Sequence, residues 1–124
     1  FKKGKTNLNL FGSLLSGNKE DGSNQLRRPE KTYGINISKE FNQKIFGKFN
    51  LNLSYDHYGK HFDTHSVNFN TIEMDSTDIV NIGLSKKIKS GQIYFKVSNL
   101  LKETYQRPHG YNQDGRIIKL GIRY

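Results

Sequence analysis

The sequence predicts an all-β chain, an antiparallel up-and-down sheet of six strands that reads as a segment of a transmembrane β-barrel. Three observations carry that expectation. The 124 residues include no Ala, against 13 Asn, 12 Gly, 8 Phe and 7 Tyr, which disfavours helix and favours strands and turns. Six stretches alternate apolar and polar residues with period two, the spacing that sends successive side chains to opposite faces of a sheet. The links between them are alternately short and long.

Residues 5–15 form the first stretch, with Leu8, Leu10 and Leu14 on one face and Asn7, Asn9 and Ser13 on the other. In 31–41, Tyr33, Ile35, Ile37 and Phe41 alternate with Thr32, Gly34, Asn36, Ser38 and Glu40. In 46–58, Phe49, Leu51, Leu53 and Tyr55 alternate with Lys48, Asn50, Asn52, Ser54 and Asp56. The fourth, 77–86, sets Val80, Ile82 and Leu84 against Ile79, Asn81, Gly83 and Ser85. The fifth, 92–99, sets Ile93, Phe95 and Val97 against Tyr94, Lys96 and Ser98. The last, 116–124, sets Ile118, Leu120, Ile122 and Tyr124 against Ile117, Lys119, Gly121 and Arg123. These lengths suit a tilted membrane strand of ~9–11 residues better than the ~5–6 usual in globular sheets.

Links 42–45 and 87–91 are short, the second with the turn signal Ser90-Gly91; links 16–30, 59–76 and 100–115 are long. In an up-and-down sheet this strict alternation gathers every long link at one end. Outer-membrane barrels have that asymmetry, with short periplasmic turns and long extracellular loops. Tyr33, Phe41, Phe46, Tyr55 and Tyr124 fall near strand ends, where aromatic girdles lie. Six strands do not close a barrel with a wide lumen, so two edges are left over, and the missing strands are expected N-terminal, on a longer chain. The first residue is Phe rather than Met, which fits a fragment.

Composition excludes other classes. No apolar run is long enough for a membrane-crossing helix. With no Cys there is neither a disulfide scaffold nor a thiolate metal site. The net charge is +9, and residues 86–124 hold nine Lys or Arg against Glu103 and Asp114. A nucleic-acid binder could carry such charge, but Lys96, Lys119 and Arg123 fall on the face expected to line the lumen rather than on one exposed stripe. No nucleic-acid motif and no catalytic constellation is present, so neither a nucleic-acid partner nor an enzyme is expected.

One run goes beyond pattern. Val97-Ser98-Asn99-Leu100-Leu101-Lys102-Glu103-Thr104-Tyr105 resembles the penultimate-strand motif of TonB-dependent outer-membrane receptors, V-x-N-L-F-D-x-x-Y. Gly110-Tyr111-Asn112-Gln113-Asp114-Gly115-Arg116 and the alternating strand after it resemble that family's final loop and strand, most like the cobalamin-receptor branch. Arg28-Pro29 resembles the R-x-P that leads into a late strand. Leu101 and Lys102 depart from the family's Phe and Asp, and the chain ends in Tyr rather than Phe. The resemblance is specific over 97–124, and the strand rhythm is compatible throughout.

The resemblance implies that residues 1–124 supply the last six strands of a 22-stranded barrel in the outer membrane of a Gram-negative bacterium. Such a receptor captures a scarce nutrient (cobalamin, an iron–siderophore or haem) at extracellular loops. It imports the nutrient with energy delivered by TonB through an N-terminal plug, which this chain lacks. Its lipid-facing wall meets outer-membrane lipid, and Tyr124 resembles the terminal aromatic read by the barrel-insertion machinery. Alternatives are another outer-membrane barrel, porin or autotransporter, and a soluble up-and-down barrel binding a lipid.

The candidate ligand-binding residues are His57 and Tyr58 at the end of the third stretch, His61 and His65 in the long link after it, and Tyr105, Arg107, His109 and Tyr111 in the last long link, where π-faces and donors combine. The bland reading makes the histidines surface-loop residues and Tyr105 and Tyr111 interface aromatics. Neither a metal site nor a cofactor is expected: the four-residue histidine spacing matters only on a helix, and 57–78, with Asp63, Glu73, Asp75 and Asp78, reads as a solvated loop rather than a calcium loop. Asn99 and Arg116 look structural by the resemblance.

Overall fold

The structure is a computed structural model and describes residues 5–17, 22–23, 25–43 and 47–124. Its strands are β1 (Thr6–Leu14), β2 (Lys31–Gln43), β3 (Gly47–Tyr58), β4 (His61–Thr64), β5 (Thr71–Met74), β6 (Thr77–Ile88), β7 (Gly91–Ser98) and β8 (Ile117–Arg123). Six of them form one sheet in the order β1-β2-β3-β6-β7-β8, every neighbour antiparallel. All six expected strands are present within two residues of their expected bounds. β4 and β5 make a separate hairpin inside the long link between β3 and β6. That hairpin escapes sequence reading because its four-residue strands sit at the lower limit of a readable alternation.

The register turns the alternation into rows across the sheet. Leu8, Ile37, Leu53, Ile82, Val97 and Ile118 are successive cross-strand partners, one from each strand. Two residues along, Lys39, Leu51, Leu84, Phe95 and Leu120 make the next row. On the opposite face the equivalent row is Asn7, Ser38, Asn52, Gly83, Lys96 and Lys119. A one-residue slip anywhere would exchange the two faces, so the pattern fixes the register.

At two places on the polar face an aromatic ring lies across a glycine. Phe11 covers Gly34 and Tyr94 covers Gly121, each its ladder partner. A Cβ at Gly34 would stand 2.6 Å from the Tyr55 carbonyl oxygen, a backbone atom, so no larger residue fits there; one at Gly121 would stand 2.6 Å from Tyr94 Cζ, and the ring would have to swing aside.

Among the described residues Val97 is the only buried hydrophobic one. Among the described residues no second layer covers the apolar face, where Leu10 is 66% and Leu120 76% exposed. Aromatic groups mark both ends of that face. Phe41 and Phe49 stack at 4.9 Å toward the short links, and Tyr33 and Tyr55 meet at 6.2 Å toward the long ones. Phe46 lies outside the described residues, as do residues 44 and 45 of the 42–45 link. The other short link is a two-residue turn, 89–90, between the paired Ile88 and Gly91. The three long links meet at the far end of the sheet. β1 and β8 are open edges, so the sheet is not closed.

Candidate functional site: the loop cap

β3 runs out at Tyr58, and the chain turns at Gly59 against the start of β2. The Gly59 N–H donates to the Lys31 carbonyl at 2.8 Å, and a Cβ there would press on that oxygen at 2.7 Å. The turn delivers β4 under the other two long links. Leu26 bridges Phe62, and the Arg27 N–H donates to the Phe62 carbonyl. On the other side, the Ser66 N–H donates to His109 Nδ1 at 3.1 Å, and the His65 and His109 rings lie 4.5 Å apart.

Asp63 stands where the three links cross and is fully buried. Its Oδ1 accepts from Arg27 Nε at 2.8 Å and from the Thr64 N–H at 2.7 Å; its Oδ2 accepts from the His109 N–H at 2.8 Å. Burial by itself would raise the carboxyl pKa. The Arg27 guanidinium and the two backbone donors outweigh burial and hold it below the ordinary carboxylate value. One carboxylate thus ties residues 27, 63–64 and 109 together. The expectation that 57–78 is a solvated loop therefore fails at Asp63, because other loops fold over it.

The structure brings together six of the eight expected ligand residues. Tyr58 stacks edge-on to His61 at 5.0 Å and donates its hydroxyl to the Arg27 carbonyl at 3.2 Å. The Arg107 guanidinium lies over the Tyr58 ring at 3.5 Å and 5.3 Å from the Tyr105 centroid. Its Nε is buried without a hydrogen-bond partner, and no carboxylate pairs with it among the described residues. His65 and His109 close the cluster. Chemically it offers π-faces beside a guanidinium, a set that suits recognition of a planar or anionic group.

Two expected members stand apart. His57 belongs to β3 and points to the apolar face, where it stacks on Tyr33 at 4.4 Å and meets Asp78 at 2.7 Å. The strand pleat, which alternates His57 and Tyr58, separates them. Tyr111 is 68% exposed, and only its backbone joins the cap, its carbonyl accepting from the Arg107 N–H. His61 also departs from the surface-loop reading: it is buried in β4, and burial lowers its pKa despite a contact with the Gly59 carbonyl. Lys96 and Lys119 are ladder partners on the polar face, with Arg123 two rows farther along it.

Sequence reasoning missed Arg27, Asp63 and the Tyr55–Asp78 contact of 2.8 Å. It placed Asn99 as structural, and the contacts agree. Asn99 is buried at φ 51°, its amide donating to the Glu103 and Asp114 carbonyls while its oxygen accepts from the Glu103 N–H. Asn tolerates that left-handed conformation better than other non-Gly residues. No group of three or more His, Cys, Asp or Glu poised to hold a metal occurs among the described residues. No protein-family model matches the chain, and no curated protein matches it at a significant level.

Proposed function

We propose that this chain is the C-terminal wall of an outer-membrane β-barrel, a TonB-dependent receptor that takes a scarce nutrient at the loop cap and imports it. The observation that carries the reading is the coreless sheet. Stable domains bury their apolar faces between at least two layers. Here a row of apolar side chains from all six strands shares one face with no second layer over it among the described residues, and Val97 alone is buried among the described hydrophobic residues. Such a face needs a cover, and hydrocarbon is one that meets six long strands without a second layer.

Two features support lipid on that face. Tyr33 and Phe41, at its two ends, are eight residues apart, about 26 Å along the strand at ~3.3 Å per residue. That length approaches the ~25 Å apolar band flanked by aromatic girdles on such barrels. The opposite face bears Asn, Ser, Gly and Lys, which suits a watery or plugged interior and disfavours a soluble barrel with a lipid inside. The long links gathered at one end give a receptor its outer surface. Tyr58, His61, His65, Tyr105, Arg107 and His109 are the ligand contacts we assign there. TonB and the plug would act through parts of the protein beyond this chain, and cobalamin, an iron–siderophore and haem all fit an aromatic and cationic cap.

The test is fractionation of source cells with an antibody to residues 100–115. The expected result is an outer-membrane band several times heavier than 14.3 kDa that migrates differently with and without boiling. A soluble band near the chain's own mass would overturn the reading.

A further inference from the structure

Charge is distributed unevenly over the polar face. β6, β7 and β8 place Lys87, Lys96, Lys119 and Arg123 there and no Asp or Glu. The acids of that face, Glu40 and Asp56, stand on β2 and β3. Lys96 and Lys119 are directly opposed in the β7–β8 ladder, where like charges destabilise a sheet. Neither makes an ion pair among the described residues. Gly83, the partner of Lys96 on its other side, presents no side chain there, and a Cβ built on it would stand 4.0 Å from Asn52 Cβ, in ordinary contact. Lys96 lines a hollow of about 500 Å³ together with Asn9, Asn36 and Asn52. That volume falls within the ~300–1,000 Å³ of small-ligand sites.

We propose that this hollow is a station for an anionic solute, its carboxylate or phosphate met by Lys96 and its hydroxyl or amide groups by Asn9, Asn36 and Asn52, with Lys119, the ladder partner of Lys96, adding to the positive field from outside the lining. An anion there relieves the opposed ammonium pair, which the sheet otherwise carries unbalanced. The inference rests on the barrel reading, in which the polar face lines an interior, and deepens it by naming the charge of the cargo. Arg107, unpaired in the cap, has the same preference at the outer end.

The chain has no Cys, so single thiols report on each face separately. In the full-length protein, cysteine-free elsewhere and kept in native outer membranes, Asn52→Cys is reacted with an anionic sulfonatoethyl and a cationic trimethylammonioethyl methanethiosulfonate. Relative to a free thiol, the anionic reagent is expected to react about tenfold or more faster than the cationic one, the range that a focused field gives. Adding Lys96→Gln and Lys119→Gln should collapse that ratio toward one. Equal rates at Asn52→Cys would overturn the proposal, and so would no reaction with either reagent, since the face would then be closed to solutes. Leu53→Cys tests the underlying reading independently. It should resist both reagents in membranes and react once the protein is denatured. Ready labelling of Leu53→Cys in membranes would sink the barrel reading whatever Asn52→Cys does.

Discussion

In the sheet, the pleat keeps side chains of opposite polarity apart, and of the apolar residues described only Val97 is buried. In the cap, the residues buried deepest are polar, Asp63 and His61, and so are Thr77 and Asn99 at the loop-side ends of β6 and β7. The sheet is therefore specified by a local rule repeated along six strands, while the cap is specified by a few charge-assisted hydrogen bonds between residues far apart in sequence. Each region should fail under a different kind of change. Charge on the apolar face should damage the sheet and spare the cap's own contacts. Loss of one carboxylate, or acid, should open the cap and spare the sheet.

The largest effect is expected at Leu53, in the row midway between Tyr33 and Phe41. On the lipid-facing reading, Leu53→Arg puts a charge at the bilayer midplane, which costs about 2–4 kcal/mol in such barrels. Asn52→Arg, one residue away on the polar face, should cost far less. Urea titration of the full-length protein in lipid, followed by its gel shift without boiling, reads both. Equal losses for the two variants would show that the faces are not in different solvents.

Asp63→Asn should come next. It keeps the shape of the side chain and removes the charge that Arg27, Thr64 and His109 share. Arg27 is itself 63% exposed, so the loss is moderated by solvent, and about 1–3 kcal/mol is expected, confined to the cap. Amide exchange should quicken in residues 61–74 and 106–112 while the β2–β3 amides stay protected. Acid should act in the same direction by a defined route. His61 titrates lower in the cap than its ordinary 6.5, so the unfolded segment binds the proton first. Its contribution is whole above pH 6.5 and is lost as pH falls below that toward the folded value. Asp63 follows below its ordinary 3.8, again because its folded pKa is the lower one. Loop protection, taken relative to the intrinsic exchange rate at each pH, should therefore fall from pH 6.5 downward, and His61→Phe should remove the first step. A fall that begins only near pH 4 would assign the whole effect to carboxylates.

The same contrast explains what the sequence could disclose. Alternation in 31–41 and 46–58 exposes both the strands and their faces, because period-two patterning is written into neighbouring residues. Leu8 and Ile118 could be assigned a face without knowing that four strands separate them. Asp63 could not be read as buried, since nothing near it in sequence indicates that residues 27 and 109 will fold over it. Tyr58 and Arg107 were recognisable as recognition chemistry, yet their 3.5 Å contact joins residues 49 positions apart. His57 was grouped with them by proximity in sequence, and the pleat sent it to the other face.

The smallest effect sharpens the distinction within a single hairpin. Lys60 and Glu73 meet at 2.7 Å, about as close as Arg27 and Asp63, and Glu73 raises the Lys60 pKa. Both partners of that pair are more than half exposed, whereas Asp63 has no exposed surface. Water replaces either member of an exposed pair when the other is removed, and holding two long side chains in one geometry offsets much of the remaining attraction. Lys60→Ala should therefore leave loop exchange unchanged within error, at low salt as well as high. If it opened the cap as Asp63→Asn does, distance alone would govern these contacts, and the assignment of Asp63 as the tie between the three links would lose its physical basis.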